Sequence, residues 1–112
     1  RVPNRSQCDA LMRAAKDLFS HYCYLMPKLP RELVLNGMDS EDPLYLSEYI
    51  ASNIQLDYEE KQQILEETSV MKRMERIVRL LEEENEILSL EQNIQEKVRE
   101  QMDKNQREYY LR

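Results

Sequence analysis

Residues 69–112 read SVMKRMERIVRLLEEENEILSLEQNIQEKVREQMDKNQREYYLR, and this stretch decides the fold because it holds neither proline nor glycine. A single helix of this length would measure about 66 Å at roughly 1.5 Å per residue. A compact domain of 112 residues has a radius of gyration of only about 13 Å. The stretch therefore predicts one long C-terminal helix that projects beyond the rest of the chain.

The two halves of this predicted helix differ in their apolar residues. The first half has a broad apolar face that suits docking on other helices, formed by Met71, Met74, Ile77, Val78, Leu81 and Leu88, with Leu80 and Ile87 alongside. Beyond Leu90 the face narrows to Ile94, Val98 and Met102, and Tyr109 follows after a polar gap. Four acid-before-base pairs at a spacing of four residues favour the helix by about 0.2 to 0.5 kcal/mol each: Glu75 with Arg79, Glu100 with Lys104, Asp103 with Arg107, and Glu108 with Arg112. We therefore expect the second half to be helical and its narrow apolar stripe to require a partner.

Proline, glycine and acidic capping residues divide residues 1–68 into about four short predicted helices. The first covers residues 6–26, and the second is the segment PRELVLN, with Gly37 as a left-handed cap. Asp42 and Pro43 begin the third helix, and Asp57 caps the fourth. Because the connections are short, consecutive helices must fold back on one another. We predict an all-α fold with two parts: a compact helical bundle, residues 1–68, and a long helix, residues 69–112, docked in its first half and projecting in its second.

Composition and charge exclude several classes of protein. One glycine and four prolines, all at or before position 43, are too few turn residues for a many-stranded sheet. The net charge of −6 argues against nucleic-acid binding, because phosphate contacts need clustered Lys and Arg. No run of about 18 apolar residues is present, so no membrane partner is expected. The beginning, RVPNRSQ, lacks an initiator methionine, and the end lacks a helix stop signal, so we expect a segment of a longer chain.

No catalytic, metal-binding or cofactor-binding residue is predicted in this sequence. His21, the single histidine, is expected to be a packed or surface residue, and its spacing from Cys23 does not suit shared metal ligation on one helix. Cys8 and Cys23 lie too far apart along the first predicted helix to form a disulfide, so we expect reduced thiols. The run EEENE at residues 82–86 is interpreted as a solvated acidic face. No glycine-rich loop is present to bind a nucleotide.

The candidate contact residues lie at the end of the long helix. Met102, Tyr109, Tyr110 and Leu111 are apolar or aromatic, and the predicted bundle does not reach them. Soft, adaptable side chains such as methionine suit promiscuous binding of exposed apolar polypeptide. We therefore expect these four residues to contact a polypeptide or another protein partner.

Two parts of the sequence resemble the Lon family of ATP-dependent serine proteases. The long helix ERIVRLLEEENEILSLEQNIQEKVREQMDKNQREYYLR, and above all its QREYYLR ending, resembles the end of that family's N-terminal region. Upstream, LPRELVLNGMDSEDPLYLSEYIASNIQLDYEEKQQILEETSVMKRMERI resembles the preceding helices of the same region. The resemblance covers essentially the whole chain.

This resemblance implies a much longer parent protein. Such a parent would begin with a β-rich lobe, and after this segment it would continue into an AAA+ ATPase module that binds ATP and Mg and a protease domain with a Ser-Lys dyad. No catalytic or nucleotide-binding residue of the family falls in this sequence. For the segment itself, the resemblance implies a role in engaging misfolded or tagged protein substrates. It also implies contact with its own AAA+ module and with other subunits of a homohexamer, in the bacterial cytoplasm.

Two other hypotheses remain open. The chain could be a stand-alone helical module that dimerises as a coiled coil, although Glu84 and Glu91 occupy positions at which the register of Met74, Ile77 and Leu81 requires apolar residues. A helical regulator that binds nucleic acid is disfavoured by the acidic charge.

Overall fold

A computed structural model describes residues 5–32, 36–37 and 39–111, and it confirms the all-α prediction. Four helices have bounds within these residues: α1 (Arg5–Leu25), α2 (Pro43–Asn53), α3 (Tyr58–Glu66) and α4 (Val70–Leu111). The described residues contain no strand. The predicted short helix over residues 30–36 falls partly on residues 33–35, which lie outside the described residues; residues 32, 36 and 37 are helical.

The molecule is elongated because α4 is much longer than the other helices. It spans 72 × 28 × 22 Å, and its radius of gyration of 18.5 Å exceeds the roughly 13 Å of a compact chain of this length. α4 runs for 42 residues without interruption. A projecting helix is therefore a feature of the structure, whereas the division of the chain into two domains at residue 68 stays a prediction.

The starts of α2 and α3 are capped as the sequence predicts. The Asp42 carboxylate accepts a hydrogen bond from the backbone N–H of Leu44 at 3.1 Å, and Pro43 occupies the first turn. The Asp57 carboxylate accepts from the N–H of Glu60 at 2.8 Å. These bonds satisfy N–H groups that have no partner within the helix.

The core forms where α1, α2 and the first half of α4 meet. α1 buries Phe19 and Tyr22, α2 buries Leu46 and Ile50, and α4 buries a face that includes Ile77. Among the described residues, the buried apolar side chains are Met12, Ala15, Phe19, Tyr22, Cys23, Leu46, Ile50, Ala51, Ile54, Ile64, Met74, Ile77 and Leu81. Burial of these side chains is the main term that holds α4 against the shorter helices.

Arg73 fixes the direction in which α4 leaves the bundle. Its Nη2 donates to the carbonyl oxygens of Leu65 and Glu67 at 2.8 and 2.9 Å, and its Nη1 lies 3.7 Å from Glu48 Oε1 on α2. The Arg73 side chain is buried, so these contacts compensate in part for the removal of its charge from water, while its Nε and Nη1 have no hydrogen-bond partner. One side chain thus ties the end of α3 and the middle of α2 to the first turn of α4.

Gly37 does not form the left-handed cap that the sequence predicts. It is helical and buried, and its φ is not positive. A Cβ at this position would collide with the ring of Tyr49. The reason for glycine here is therefore close approach to an aromatic ring, which sequence alone does not reveal.

Candidate functional site

The second half of α4 lies in solvent. From Leu90 to Tyr110 every side chain is exposed, including large apolar ones. We call the exposed apolar residues that follow one line along this helix the distal stripe; its members are Ile87, Leu90, Ile94, Val98, Met102 and Tyr109. Ile94 is 52% exposed and Met102 is 57% exposed. A line of exposed apolar side chains of this kind, with Tyr109 separated from Met102 by a polar gap, is typical of a contact surface for another polypeptide.

The distal stripe only partly continues the face that docks on the bundle. With 3.6 residues per turn, Leu90 and Ile94 lie about 140° and 100° around the helix axis from Ile77 in the docked face. Met102 and Tyr109 return to within about 40° of Ile77. The single narrowing face predicted from the sequence therefore omits the offset at Leu90 and Ile94. All side chains from Leu90 to Tyr110 are exposed, whichever side of the helix they occupy.

The four predicted contact residues do not share one surface. Met102 and Tyr109 belong to the distal stripe. Tyr110 lies about 100° further around the helix than Tyr109, although the two rings meet edge to face with centroids 6.2 Å apart. Leu111 is the last residue of α4, and its side chain lies outside the described residues. The role of these four residues in binding stays a prediction.

Three of the four predicted charge pairs on α4 are not formed as ion pairs. In the described part of the chain, the one ion pair within 4.0 Å joins Arg73 and Glu48. Glu75 with Arg79, Glu100 with Lys104, and Asp103 with Arg107 remain further apart, and Arg112 lies outside the described residues. Exposed pairs gain little from contact because water screens them and ordering long side chains costs entropy.

A groove of about 370 Å³ runs between α1 and α4 on the bundle itself. Its lining residues are Asp17, Leu18 and His21 from α1, and Glu82, Asn85, Glu86 and Ser89 from α4. His21 is exposed and stacks on Tyr24, with ring centroids 6.4 Å apart, as expected for a surface histidine. Asp17 precedes His21 by one helical turn, so an acidic residue does lie at helical spacing from the single histidine.

The interpretation of residues 82–86 as a fully solvated face is wrong at two positions. Asn85 is only 6% exposed, and its Nδ2 donates to the Leu18 carbonyl oxygen of α1 at 3.0 Å. Glu84 is partly buried. Burial raises the pKa of the Glu84 carboxyl, and the neighbouring charges of Glu60, Glu83 and Glu91 raise it further. The run therefore contains one buried amide, Asn85, that packs against α1. It also contains one carboxyl group, Glu84, whose ionised form is disfavoured by burial and by nearby negative charges.

The described residues offer no constellation for metal or thiol chemistry. No group of three or more His, Cys, Asp or Glu side chains in this part of the chain could hold a metal ion. Cys8 and Cys23 are both free thiols. Burial raises the pKa of the Cys23 thiol, which lowers its reactivity because the thiolate is the nucleophile. Nor does any helix within the described ranges combine the length and the apolar character needed to span a bilayer.

Known proteins similar to this chain are parts of one family. Residues 1–83 match the family model of the ATP-dependent protease La (LON) substrate-binding domain. The chain is 36% identical to a Lon protease of Dictyoglomus thermophilum over 112 residues, all of this chain and 14% of that relative. It is 41% identical to a Lon protease of Heliobacterium modesticaldum over 93% of this chain and 13% of that relative. A Lon protease of Azospirillum brasilense is 38% identical over 99% of this chain and 14% of that relative.

These similarities include both the bundle and the projecting helix. The chain spans only about one seventh of the length of the relatives that it matches. The family model ends at residue 83, near the end of the docked half of α4, while the similarity to the relatives continues through the distal stripe. The chain belongs to the Lon substrate-binding domain family.

Proposed function

We propose that this chain is a non-catalytic polypeptide-recognition and linking segment of a Lon-type protease that degrades misfolded and short-lived regulatory proteins. The observation that carries the proposal is the distal stripe, an exposed apolar line on a helix that projects from the bundle. Membership of a substrate-binding domain family supports the same role.

The chemistry of the stripe suits weak and unselective capture of unfolded chain. Leu90, Ile94, Val98 and Met102 present flexible apolar side chains at intervals of about one helical turn. Unfolded proteins expose apolar segments that native proteins bury, so the stripe selects for loss of structure rather than for a sequence. A methionine in the line adapts to differently shaped side chains.

In this proposal, the remaining steps belong to other parts of a longer protein. An AAA+ module that binds ATP and Mg would unfold the captured chain, and a serine protease domain would cleave it. Other subunits of a homohexamer in the bacterial cytoplasm would complete the assembly. α4 would then join the recognition bundle to the motor, which is consistent with its length and with the firm anchoring of its first turn by Arg73.

A binding experiment tests this role directly. The probe is a fluorescein-labelled, reduced and carboxymethylated protein, which stays unfolded in buffer. We expect Val98→Lys and Met102→Lys to weaken its binding at least tenfold and to leave the melting temperature of the chain nearly unchanged, because both side chains are exposed. Gln92→Lys is the matched control, because this exposed residue lies off the stripe, about 160° around the helix from Ile94, 120° from Val98 and 80° from Met102, and receives the same charge.

The outcomes discriminate among the alternatives. An equal loss of affinity in Gln92→Lys would show that added charge, rather than the stripe, weakens binding. ATP hydrolysis by the purified chain would overturn the non-catalytic role. A stable dimer at micromolar concentration in sedimentation, lost in Val98→Lys, would favour the coiled-coil module instead, because the same stripe would then be covered by a second copy.

A further inference from the structure

We propose that the distal stripe holds a captured polypeptide in one direction, because its two ends are bordered by opposite charges. The preferred segment is an apolar run with basic residues at one end and acidic residues at the other. Its acidic end lies toward the C-terminal end of α4. This preference rests on the proposed capture of polypeptide at the same stripe: apolar contact holds the segment, and charge sets its direction.

The upstream part of the stripe is bordered by carboxylates. Residues 80–96 of α4 contain six glutamates and no lysine or arginine. Glu83 and Glu91 are exposed, and each lies about one helical turn from Ile87 and about 40° from it around the axis. Further upstream, the groove between α3 and α4 contains two arginines and two glutamates, whose charges offset one another. Negative charge therefore borders the stripe at Ile87 and Leu90.

The downstream part of the stripe is bordered by cations instead. Lys97 and Arg99 are exposed and lie about 100° from Val98, one on each side of it. The carboxylates between residues 92 and 107 lie on the opposite side of the helix, about 140 to 160° from Val98: Glu96, Glu100 and Asp103. Long basic side chains lay their aliphatic stems along apolar surface and keep the charged group at its edge. Positive charge therefore borders the stripe around Val98.

The chain itself does not neutralise these bordering charges. Within the described residues, Glu83, Glu91, Lys97 and Arg99 have no oppositely charged group within 4.0 Å. The whole chain carries a net charge of −6, so general attraction would favour basic residues at every position of a bound segment. Only the local arrangement around Val98 favours acidic residues there.

The spacing of the two charged parts sets the length of the segment. Ile87 and Val98 are separated by about 16 Å along the helix axis, at roughly 1.5 Å per residue. An extended polypeptide covers this distance in about five residues. The best-fitting segment therefore has about five apolar residues between its basic and its acidic end.

Two peptides of identical composition test the preference. Both have blocked termini and the same apolar centre. The charge-ordered peptide carries lysines at its N-terminal end and aspartates at its C-terminal end, and the mixed peptide carries one lysine and one aspartate at each end. In NMR titrations of the ¹⁵N-labelled chain at low ionic strength, the charge-ordered peptide should bind about threefold more tightly or better, because several exposed ion pairs act together. The difference should disappear at about 0.5 M salt.

A nitroxide label on the charge-ordered peptide reports its direction. On the aspartate end, the label should broaden the amide signals around Val98, and on the lysine end it should broaden those around Ile87. A peptide with its aspartates at the N-terminal end should also place them at Val98, because charge decides rather than backbone direction. Broadening of both regions from either end would contradict a preferred direction.

A matched pair of variants tests the location of the positive charge. Arg99→Glu and Arg107→Glu are the same substitution at exposed positions of α4, but Arg107 lies about 180° from Val98. Arg99→Glu should remove most of the preference for the charge-ordered peptide, whereas Arg107→Glu should retain it. Equal losses in the two variants would show an effect of net charge and would overturn the assignment.

The outcomes separate failure of this proposal from failure of capture at the stripe. Equal binding of both peptides that is lost in Val98→Lys would overturn the preferred direction and leave capture intact. If neither peptide binds, the preferred direction is overturned, and capture fails with it only if unfolded protein does not bind either. A dimer in sedimentation that neither peptide dissociates would assign the stripe to a second copy and overturn both.

Discussion

Ile77 and Ile94 allow one substitution to be compared at two positions of the same helix. Ile77 is 0% exposed in the docked half of α4, whereas Ile94 is 52% exposed in the distal stripe. Replacing either with alanine removes the same atoms. Any difference in the free energy of unfolding therefore measures how the surroundings of the two side chains differ.

The expected magnitudes follow from burial. Ile77→Ala should lower the free energy of unfolding by about 2 to 5 kcal/mol, because it truncates a fully buried side chain and leaves a cavity in the core cluster that includes Phe19 and Leu46. Ile94→Ala should change stability by less than about 0.5 kcal/mol, because its side chain has little packing to lose and alanine has the higher helix propensity. At roughly 4 °C per kcal/mol, Ile77→Ala should lower the melting temperature by about 8 °C or more.

Urea denaturation followed by circular dichroism, together with thermal melts, measures both variants. A loss above about 1 kcal/mol for Ile94→Ala would refute the assignment of an unpacked stripe, and it would mean that the distal half of α4 folds against something. A loss below about 1 kcal/mol for Ile77→Ala would equally contradict the docked face.

Three further substitutions test the bundle. Tyr22→Phe should cost about 1 to 3 kcal/mol in urea denaturation, because the Tyr22 hydroxyl accepts the backbone N–H of Gln55 at 2.9 Å and its loss leaves that donor unpaired; an unchanged stability would mean that water replaces the hydroxyl. Gly37→Ala should cost about 1 to 3 kcal/mol through collision with the Tyr49 ring, and the loss should shrink in a Tyr49→Ala background. Glu84→Gln should raise the melting temperature at neutral pH. Folding raises the pKa of Glu84, so ionising this carboxyl costs more free energy in the folded chain than in the unfolded chain. This penalty disappears as pH falls below the ordinary pKa of 4.5. A gain in melting temperature that persists below pH 4.5 would exclude this cause.

Local signals in the sequence predict much of the fold. Asp42 and Asp57 are followed at once by helical patterns, and both cap helices in the structure. The absence of proline and glycine after Ser69 predicts a continuous helix, and α4 runs unbroken to Leu111. These features depend on a few neighbouring residues, so no knowledge of tertiary contacts is needed to find them.

Features that depend on two distant segments could not be predicted in the same way. Asn85 lies in an acidic run, and only the contact with the Leu18 carbonyl oxygen of α1 shows that it is buried. Gly37 has a turn-like sequence context, and only the position of the Tyr49 ring explains it. The buried Arg73 likewise looks like one of many surface cations until its three contacts are seen.

The offset between the docked face and the start of the distal stripe could have been predicted from the sequence. Counting 100° per residue separates Ile77 from Ile94 by about 100°, and the same count returns Met102 to within about 20° of Ile77. The sequence alone does not show the residue at which the bundle stops covering α4, because that residue depends on contacts with α1.

Photo-crosslinking from α4 tests the central claim most directly. A benzoylphenylalanine replaces Val98 in one variant and Gln92 in another, two exposed positions about 120° apart around the helix. The chain is mixed with a reduced and carboxymethylated protein and irradiated. If the distal stripe captures unfolded polypeptide, crosslinks form from position 98 and are competed by unlabelled unfolded protein, while position 92 gives few. Crosslinks of equal yield from both positions, or none from position 98, would contradict the claim.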